Sequence, residues 1–562
     1  MKSPLPGKDF TFDVSVSGKR RALLLGCLSW PLSSILAGCG GGSDSPLKTA
    51  TNTTASPAAP ASNASPSTGL NVPLAPYAPG AAPTTSVPAT ATTGPATVTH
   101  VPPTPVPQSA GPLTMNVGIY NLEYNSWTQV AARKEVDSSV AGAVTVVDPT
   151  TKVSTTYESI TDYLTRALND RFALMYRGLV AAFAQNPPTA YDVSFFTAPE
   201  FYWNVPWSDF LNTAEVDVAA DLCLRTVTAH VRALIALFPA CKYGNLVFLP
   251  GTIAELRPAV NAIAPNGTYA GTVNSPVYNA TNHVVCVHNL PLNDANYARP
   301  AYMIWPKRVV SHIDFVDEAN GGGCTYNVTP LQNDPSDPAV ANSVESCPLN
   351  IAAGLTVQIQ FVTPDMAQSF DSDGKLLSKG FDNNIVPGLP FGIDVCLDYS
   401  YASIQSDKAR MAQLDNSQFK LDFLIACGMS LDSDNYKESP FIQYAIHNDG
   451  SPWSNENPDR ANLYSDVEKI IYDKTDNTVS LSLVSALGAS SSNALSEGLI
   501  PVDESTAFAL PAGVNATDIP AIADKMNPAN MRVWALPVDV TDTLTGPAAL
   551  AAMKPAACSS PN

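Results

Sequence analysis

Charge is scarce in this chain, and basic charge most of all. Only 14% of its 562 residues are charged, and 31 Lys and Arg face 50 Asp and Glu, for a formal charge of -19. A phosphate-binding surface needs clustered cations, so a nucleic-acid partner is excluded, and so is tight electrostatic docking on anionic lipid. The ten cysteines form no CxxC pair and the six histidines show no ligand spacing, which argues against a zinc site. Beyond the leader described below, no segment reads as a membrane span, and no internal repeat is visible. Hydrophobic residues, at 45%, are enough to bury a sizeable core.

The amino-terminal residues read as an export signal. Lys19, Arg20 and Arg21 precede an apolar run from Ala22 to Ala37, which ends in Leu36-Ala37-Gly38-Cys39. The run is too short and too interrupted for a transmembrane anchor, which needs about 20 apolar residues. Residues 1–39 are therefore expected to be a signal peptide. The Leu-Ala-Gly-Cys tetrapeptide resembles a bacterial lipobox, which implies lipidation of Cys39 and an exported, membrane-anchored protein on the periplasmic face or in the outer membrane. Residues 40–112, rich in Ala, Pro, Thr and Ser, cannot bury enough apolar surface to offset their ordering entropy, and read as an extended linker. In an oxidising compartment some cysteines should pair. Cys324 with Cys347 is the first expectation and Cys223 with Cys241 the second, with buried free thiols as the alternative.

From residue 113 to the end the pattern is that of one α/β layered body. Apolar spacing predicts helices over about 160–185 and 217–238. Strands are expected at 115–120, 191–197, 245–252, 282–288, 354–362, 391–396 and 421–426. Residues 320–353 and 363–389, rich in Asn, Asp, Gly, Ser and Pro, read as surface insertions. Beyond about Pro452 the pattern weakens, and the remainder is expected to pack on the same body.

The strongest chemical signal is Phe391-Gly392-Ile393-Asp394-Val395-Cys396-Leu397-Asp398. A short apolar strand delivers a thiol to its carboxyl end, where α/β folds place reacting groups. Such a thiol needs something to lower its pKa and something to move its proton. Glu200, after the strand ending Thr197-Ala198-Pro199, offers a base, and Lys307, after Ile304-Trp305-Pro306, a cation for a developing anion. Each residue also has an ordinary reading. Cys396 could be an inert core thiol, Glu200 a cap or ion-pair partner, and Lys307 a solvated charge beside Arg308. Phe201, Tyr202 and Trp203 line a substrate pocket on one reading and the core on the other. Asp398 is expected to orient its loop.

Pro199-Glu200, Lys307 and Gly392-x-x-x-Cys396-x-Asp398, in that order, resemble the nitrilase or carbon–nitrogen hydrolase superfamily. Val117–Leu122, Phe248–Thr252, Tyr278-Asn279-Ala280 and Leu421–Met429 extend the resemblance over residues 113–450. It implies a four-layer αββα sandwich and a Glu200-Lys307-Cys396 triad acting through a thioester on a small-molecule amide, more than a nitrile, with no metal or organic cofactor. An N-acyltransferase would keep the same thioester step. Family members often carry a second carboxylate about eight residues past the lysine; position 315 is Phe, so Asp314, Asp317 or Glu318 would stand in. Two other function classes compete. Tyr120-Asn121-Leu122-Glu123 resembles the opening strand of metal-dependent nucleases and phosphatases, although the last histidine, His447, lacks an Asp-His step. A non-catalytic surface lipoprotein on a hydrolase scaffold is the third. Self-association into a homo-oligomer is left open.

Overall fold

A computed structural model describes residues 112–128, 132–133, 144–147, 152, 154–157, 159–259, 277–294, 297–310, 312–315, 345–352, 355–361, 366–400, 419–437, 439–451, 465–490, 492–494, 496–502, 526–544, 546–555 and 558. All fall within one unit, Asn71–Asn562. Cys39, the leader and nearly all of the linker lie outside them.

The fold is mixed α/β, with large sheets and few helices. In chain order its main elements are β1 (Thr114–Tyr124), α1 (Ile160–Gln185), β2 (Val193–Ala198), α2 (Thr213–Ala236), β3 (Leu246–Pro250), β4 (Thr252–Pro258), β5 (Val277–His288) and β6 (Tyr302–Pro306). Next come β7 (Glu345–Ala352), β8 (Leu355–Phe361), β9 (Gln368–Phe370), β10 (Leu376–Ser378), β11 (Phe391–Val395), β12 (Leu421–Ala426) and β13 (Tyr444–Asp449). The last four are β14 (Ser465–Asp473), β15 (Thr478–Leu483), β16 (Ile500–Val502) and β17 (Ala529–Asp539). A twelve-stranded sheet runs β10-β9-β6-β5-β3-β2-β1-β17-β16, with β4, β7 and β8 attached through β5. A five-stranded sheet runs β11-β12-β13-β14-β15.

Period-two alternation explains how the larger sheet is covered on both faces. On one face Tyr120, Leu122, Phe196 and Phe248 pack with α1 and α2. Ser159 caps α1 by accepting the Asp162 amide, and Asn212 caps α2 by accepting that of Glu215. On the other face Phe195 meets Phe391 and Phe423 of the smaller sheet, with ring centroids at 5.3 and 5.1 Å. Polar residues continue this face toward the strand ends. Asn121 donates to the His447 carbonyl at 3.1 Å, and Asn448 donates to the Thr197 hydroxyl at 2.9 Å and the Leu122 carbonyl at 3.2 Å. Arg532 of β17 pairs with Glu123 at 3.1 Å between the sheets.

Several expectations change on contact with the fold. Cys241 bonds to Cys558 rather than to Cys223, which is buried and free; α2 ends between Cys223 and Cys241. Cys324 and the side chain of Cys347 lie outside the described residues. Of the stretch read as a surface insertion over 320–353, residues 345–352 form β7, whose Leu349 and Ile351 are buried. Within 363–389, β9 and β10 make a sheet edge, while Phe381, Ile385, Val386 and Leu389 are fully buried. The carboxyl-terminal residues complete both sheets: β17 lies antiparallel to β1 along all eleven residues, from Thr114↔Asp539 to Tyr124↔Ala529. Phe195 is the aromatic hinge pin between the sheets, so Phe195→Ala is expected to cost about 3–5 kcal/mol. Urea unfolding of the variant against wild type checks it.

Candidate active site

Three strand ends converge. Parallel pairing of β1, β2 and β3 brings Glu200, two residues past β2, beside the turn that links β3 to β4. Gly251 in that turn adopts φ +79°, and a Cβ there would lie 2.5 Å from the Pro199 carbonyl, so the close approach requires glycine. Lys307 follows β6, where its amide donates to the Asn282 carbonyl of β5 at 2.8 Å. Cys396 follows β11 in the other sheet, and its amide donates to the Ile425 carbonyl of β12 at 2.9 Å.

The side chains meet as a buried ionic cluster. The Lys307 ammonium donates to Glu200 Oε1 at 2.9 Å and to Asp314 Oδ1 at 2.7 Å. Asn282 donates to the same Glu200 oxygen at 3.0 Å and to Asp314 Oδ2 at 3.4 Å. Glu200 Oε2 accepts none of these bonds. The Cys396 thiol is near enough to influence the Glu200 pKa, and its own hydrogen bond goes to the Cys427 carbonyl at 3.7 Å. Of the four free cysteines among the described residues, Cys396 alone is not fully buried.

Two backbone features mark the spot. Cys396, between β11 and the short helix Leu397–Ser400, has φ 46°, and Phe201, next to Glu200, has φ 61°. A non-glycine residue in this region costs about 1–3 kcal/mol and persists where its surroundings over-determine it. Asp398 supplies part of that determination. Its carboxylate accepts the amides of Arg308 at 3.0 Å and Val309 at 2.7 Å, fixing the chain just after Lys307. Arg308 in turn reaches Asp394 at 3.2 Å. Asp398 thus pins the stretch just after Lys307, and Arg308 is tied into the same bonds.

The three aromatic residues after Glu200 separate. Phe201 lies beneath the Lys307 ammonium, 5.9 Å from ring centroid to nitrogen. Tyr202 and Trp203 are buried in the core, where the Tyr202 hydroxyl donates to the Arg171 carbonyl at 2.6 Å and the Trp203 indole to the Pro250 carbonyl at 2.8 Å. Of the three carboxylates left open past Lys307, Asp314 is at the site; Asp317 and Glu318 lie outside the described residues. Asn282 had no role in the sequence reading. Nothing local singled it out, since β5 also carries Asn279, Thr281 and His283.

Electrostatics assigns resting protonation. Burial raises the Glu200 pKa, the Lys307 charge opposes and the Asp314 charge reinforces, and the balance brings it to about 8. Burial alone would lower the Lys307 pKa, but Asp314, Glu200 and Cys396 together hold it well above its ordinary value. Burial and the Glu200 charge push the Cys396 thiol well up, against the pull of Lys307. The lowered thiol pKa expected from sequence is therefore corrected: the sulfur rests as a thiol and must hand its proton to a base as it reacts. Glu200 is poised to take it, since a base works best with a pKa near the working pH.

Among the described residues no group of three His, Cys, Asp or Glu side chains stands ready to hold a metal. Glu123, which a nuclease-like reading would use, is engaged by Arg532 and by the Ser465 hydroxyl. A scan against models of known families finds no match, and a search of curated proteins finds none either.

Cys396 alkylation should report Glu200. Protonated Glu200 cannot accept the thiol proton, so the iodoacetamide rate is expected to fall as pH drops through about 8. This step should vanish in Glu200→Gln and move to lower pH in Asp314→Asn, which removes a charge that raises the Glu200 pKa. Rate profiles followed by peptide mapping decide; a single titration unaffected by Glu200→Gln would contradict the assignment.

Proposed function

We propose that the protein is a hydrolase of non-peptide carbon–nitrogen bonds, with amides as substrates ahead of nitriles, working through a thioester on Cys396. The observation that carries this reading is the meeting of Glu200, Lys307 and a partly exposed Cys396, drawn from strand ends of two different sheets. The order Glu200, Lys307, Cys396 and the motifs around them, which resemble those of the carbon–nitrogen hydrolases, support it. In the finer architecture proposed here, the two sheets are the inner layers of a four-layer αββα sandwich. The packing of Phe195 against Phe391 and Phe423, and of α1 and α2 on the far side of the larger sheet, supports that arrangement.

Each residue has one task. The Cys396 sulfur attacks the amide carbon, forming the S–C bond, while its proton passes to Glu200. The carbonyl π pair moves to oxygen, where the Lys307 ammonium stabilises the charge. Collapse breaks the C–N bond as the Glu200 proton passes to the leaving amine. Glu200, ionised again, then takes a proton from water as it attacks the thioester, releasing a carboxylic acid and restoring the thiol. Asp314 keeps Lys307 cationic, and Asn282 holds the Glu200 carboxyl through Oε1, leaving Oε2 without a hydrogen bond to the described residues and free to accept the thiol proton. The cycle closes without a metal or organic cofactor.

A panel of small amides and nitriles tests the reading. Turnover of at least one is expected, reduced by about 10⁴-fold or more in Cys396→Ala, as for removal of other enzymic nucleophiles. Full turnover by Cys396→Ala would overturn it, as would abolition of activity by EDTA.

We further propose that Cys39 is lipidated and tethers the enzyme to a membrane through residues 40–112. No helix among the described residues is long and apolar enough to cross one. Wild type should partition into the detergent phase of a Triton X-114 extraction and Cys39→Ser into the aqueous phase. Aqueous partition of both would refute the anchor.

A further inference from the structure

Glu200 and Cys396 belong to different sheets, so something must fix the distance between them. The turn at the carboxyl end of β13 bonds to both sheets, beside the segments that carry these residues. Asp449, its last residue, is fully buried and accepts three backbone amides: Gly428 at 2.9 Å, Met429 at 3.0 Å and Ser451 at 2.7 Å. The first two belong to the turn after β12, which also presents the Cys427 carbonyl that accepts the Cys396 thiol at 3.7 Å. Holding those amides, Asp449 fixes where that carbonyl sits.

The next residue reaches the other sheet. The Gly450 amide donates to the Ala426 carbonyl at 2.8 Å, and its carbonyl accepts the amides of Ser126 at 3.0 Å and Trp127 at 3.2 Å. The Ser126 hydroxyl donates to the Glu200 carbonyl at 2.5 Å, and the Glu200 amide donates to the Ala426 carbonyl at 3.3 Å. A Cβ on Gly450 would lie 1.8 Å from the Ser126 hydroxyl, so the brace closes only around a glycine. Behind Asp449, His447 stands 3.4 Å away and bonds Asp466 through Nδ1 at 2.7 Å. Burial lowers the His447 pKa, but the two carboxylates outweigh it and bring it to about 10, so a cation backs Asp449 at neutral pH.

We infer that Asp449 is a positioning residue for the proposed reaction: with Gly450 and Ser126 it forms an inter-sheet brace that sets the Glu200 carboxyl against the Cys396 sulfur. This rests on the catalytic reading above. Asp449 touches neither reacting atom. It acts through the 426–429 turn on one side and through the Gly450–Ser126 contact on the other. A shift of about 1 Å in such a pair can cost about 10²-fold in rate.

The test uses the full chain and iodoacetamide. In Asp449→Asn the amide group turns a donor toward backbone donors, and in Gly450→Ala the methyl group displaces Ser126 while Asp449 keeps its charge. In variants that still melt cooperatively, Cys396 alkylation at pH 8–9 is expected to slow by about tenfold or more, with the step near pH 8 lost, and kcat to fall with little change in KM. A purely structural role would lower the melting temperature and leave the alkylation profile of the folded protein as in wild type. Should Asp449→Asn fail to fold, Gly450→Ala and Ser126→Ala decide. A wild-type step that survives in the folded variants overturns this inference alone. A wild-type profile without the step would remove the catalytic reading and this inference together.

Discussion

A lysine ammonium shut away from water between two carboxylates is the interaction on which the site depends. Desolvating Lys307 costs several kcal/mol, and neither Glu200 nor Asp314 alone satisfies it; both hydrogen bonds are needed. Removing one partner of such a cluster leaves a buried charge unmatched, at a cost of about 3–5 kcal/mol. The chain around it is correspondingly fixed, with the Lys307 amide on Asn282, the next two amides on Asp398, and Asn282 itself on both carboxylates. One ammonium facing two carboxyls and a thiol also sets the acid–base chemistry. Glu200 retains its proton to a higher pH than an ordinary carboxyl, and the thiol keeps its own until a base accepts it.

A second constraint follows from the two-sheet construction. Glu200 and Lys307 descend from the twelve-stranded sheet and Cys396 from the five-stranded one. Aromatic packing around Phe195 holds the sheets at mid-strand, but apolar contact is non-directional and cannot set a hydrogen-bond distance. Directional bonds do so at the strand ends, through Asn121, Asn448, the turn after β13 and Ser126. The left-handed backbone at Phe201 and Cys396 is sustained there, since many bonds on either side leave those residues no relaxed alternative.

How much of this was legible in the sequence depended on range. Local periodicity predicted α1 over the residues it occupies, and β12 likewise, because each pattern is complete within its own segment. The cysteine turn was legible for the same reason: an apolar strand, a thiol and an aspartate are neighbours in sequence. The expected meeting of Glu200, Lys307 and Cys396 drew on resemblance as well as on residue type. What escaped was contact between distant residues. Ser126 and Gly450 are more than three hundred positions apart, and nothing local to either signals the other. β17 was not expected, since the pattern weakens beyond about Pro452, and its place beside β1 is set by a pairing across the whole chain. Cys241 found Cys558 rather than the nearer Cys223, because proximity in sequence across a helix is not proximity in space. The thiol pKa went up where sequence reasoning expected it to go down, because burial penalises the thiolate and the Glu200 charge adds to that, against the pull of Lys307.

The most direct test of a thioester at Cys396 is to trap it. The full chain would be mixed with an activated ester of a small carboxylic acid, quenched in acid within seconds, digested and mapped by mass spectrometry. The expected result is a single acyl group on the Cys396 sulfur, transient in wild type and longer-lived in Glu200→Gln, where water lacks its base. Acylation confined to other residues, or a Cys396 peptide that stays unmodified while the ester is consumed, would contradict it.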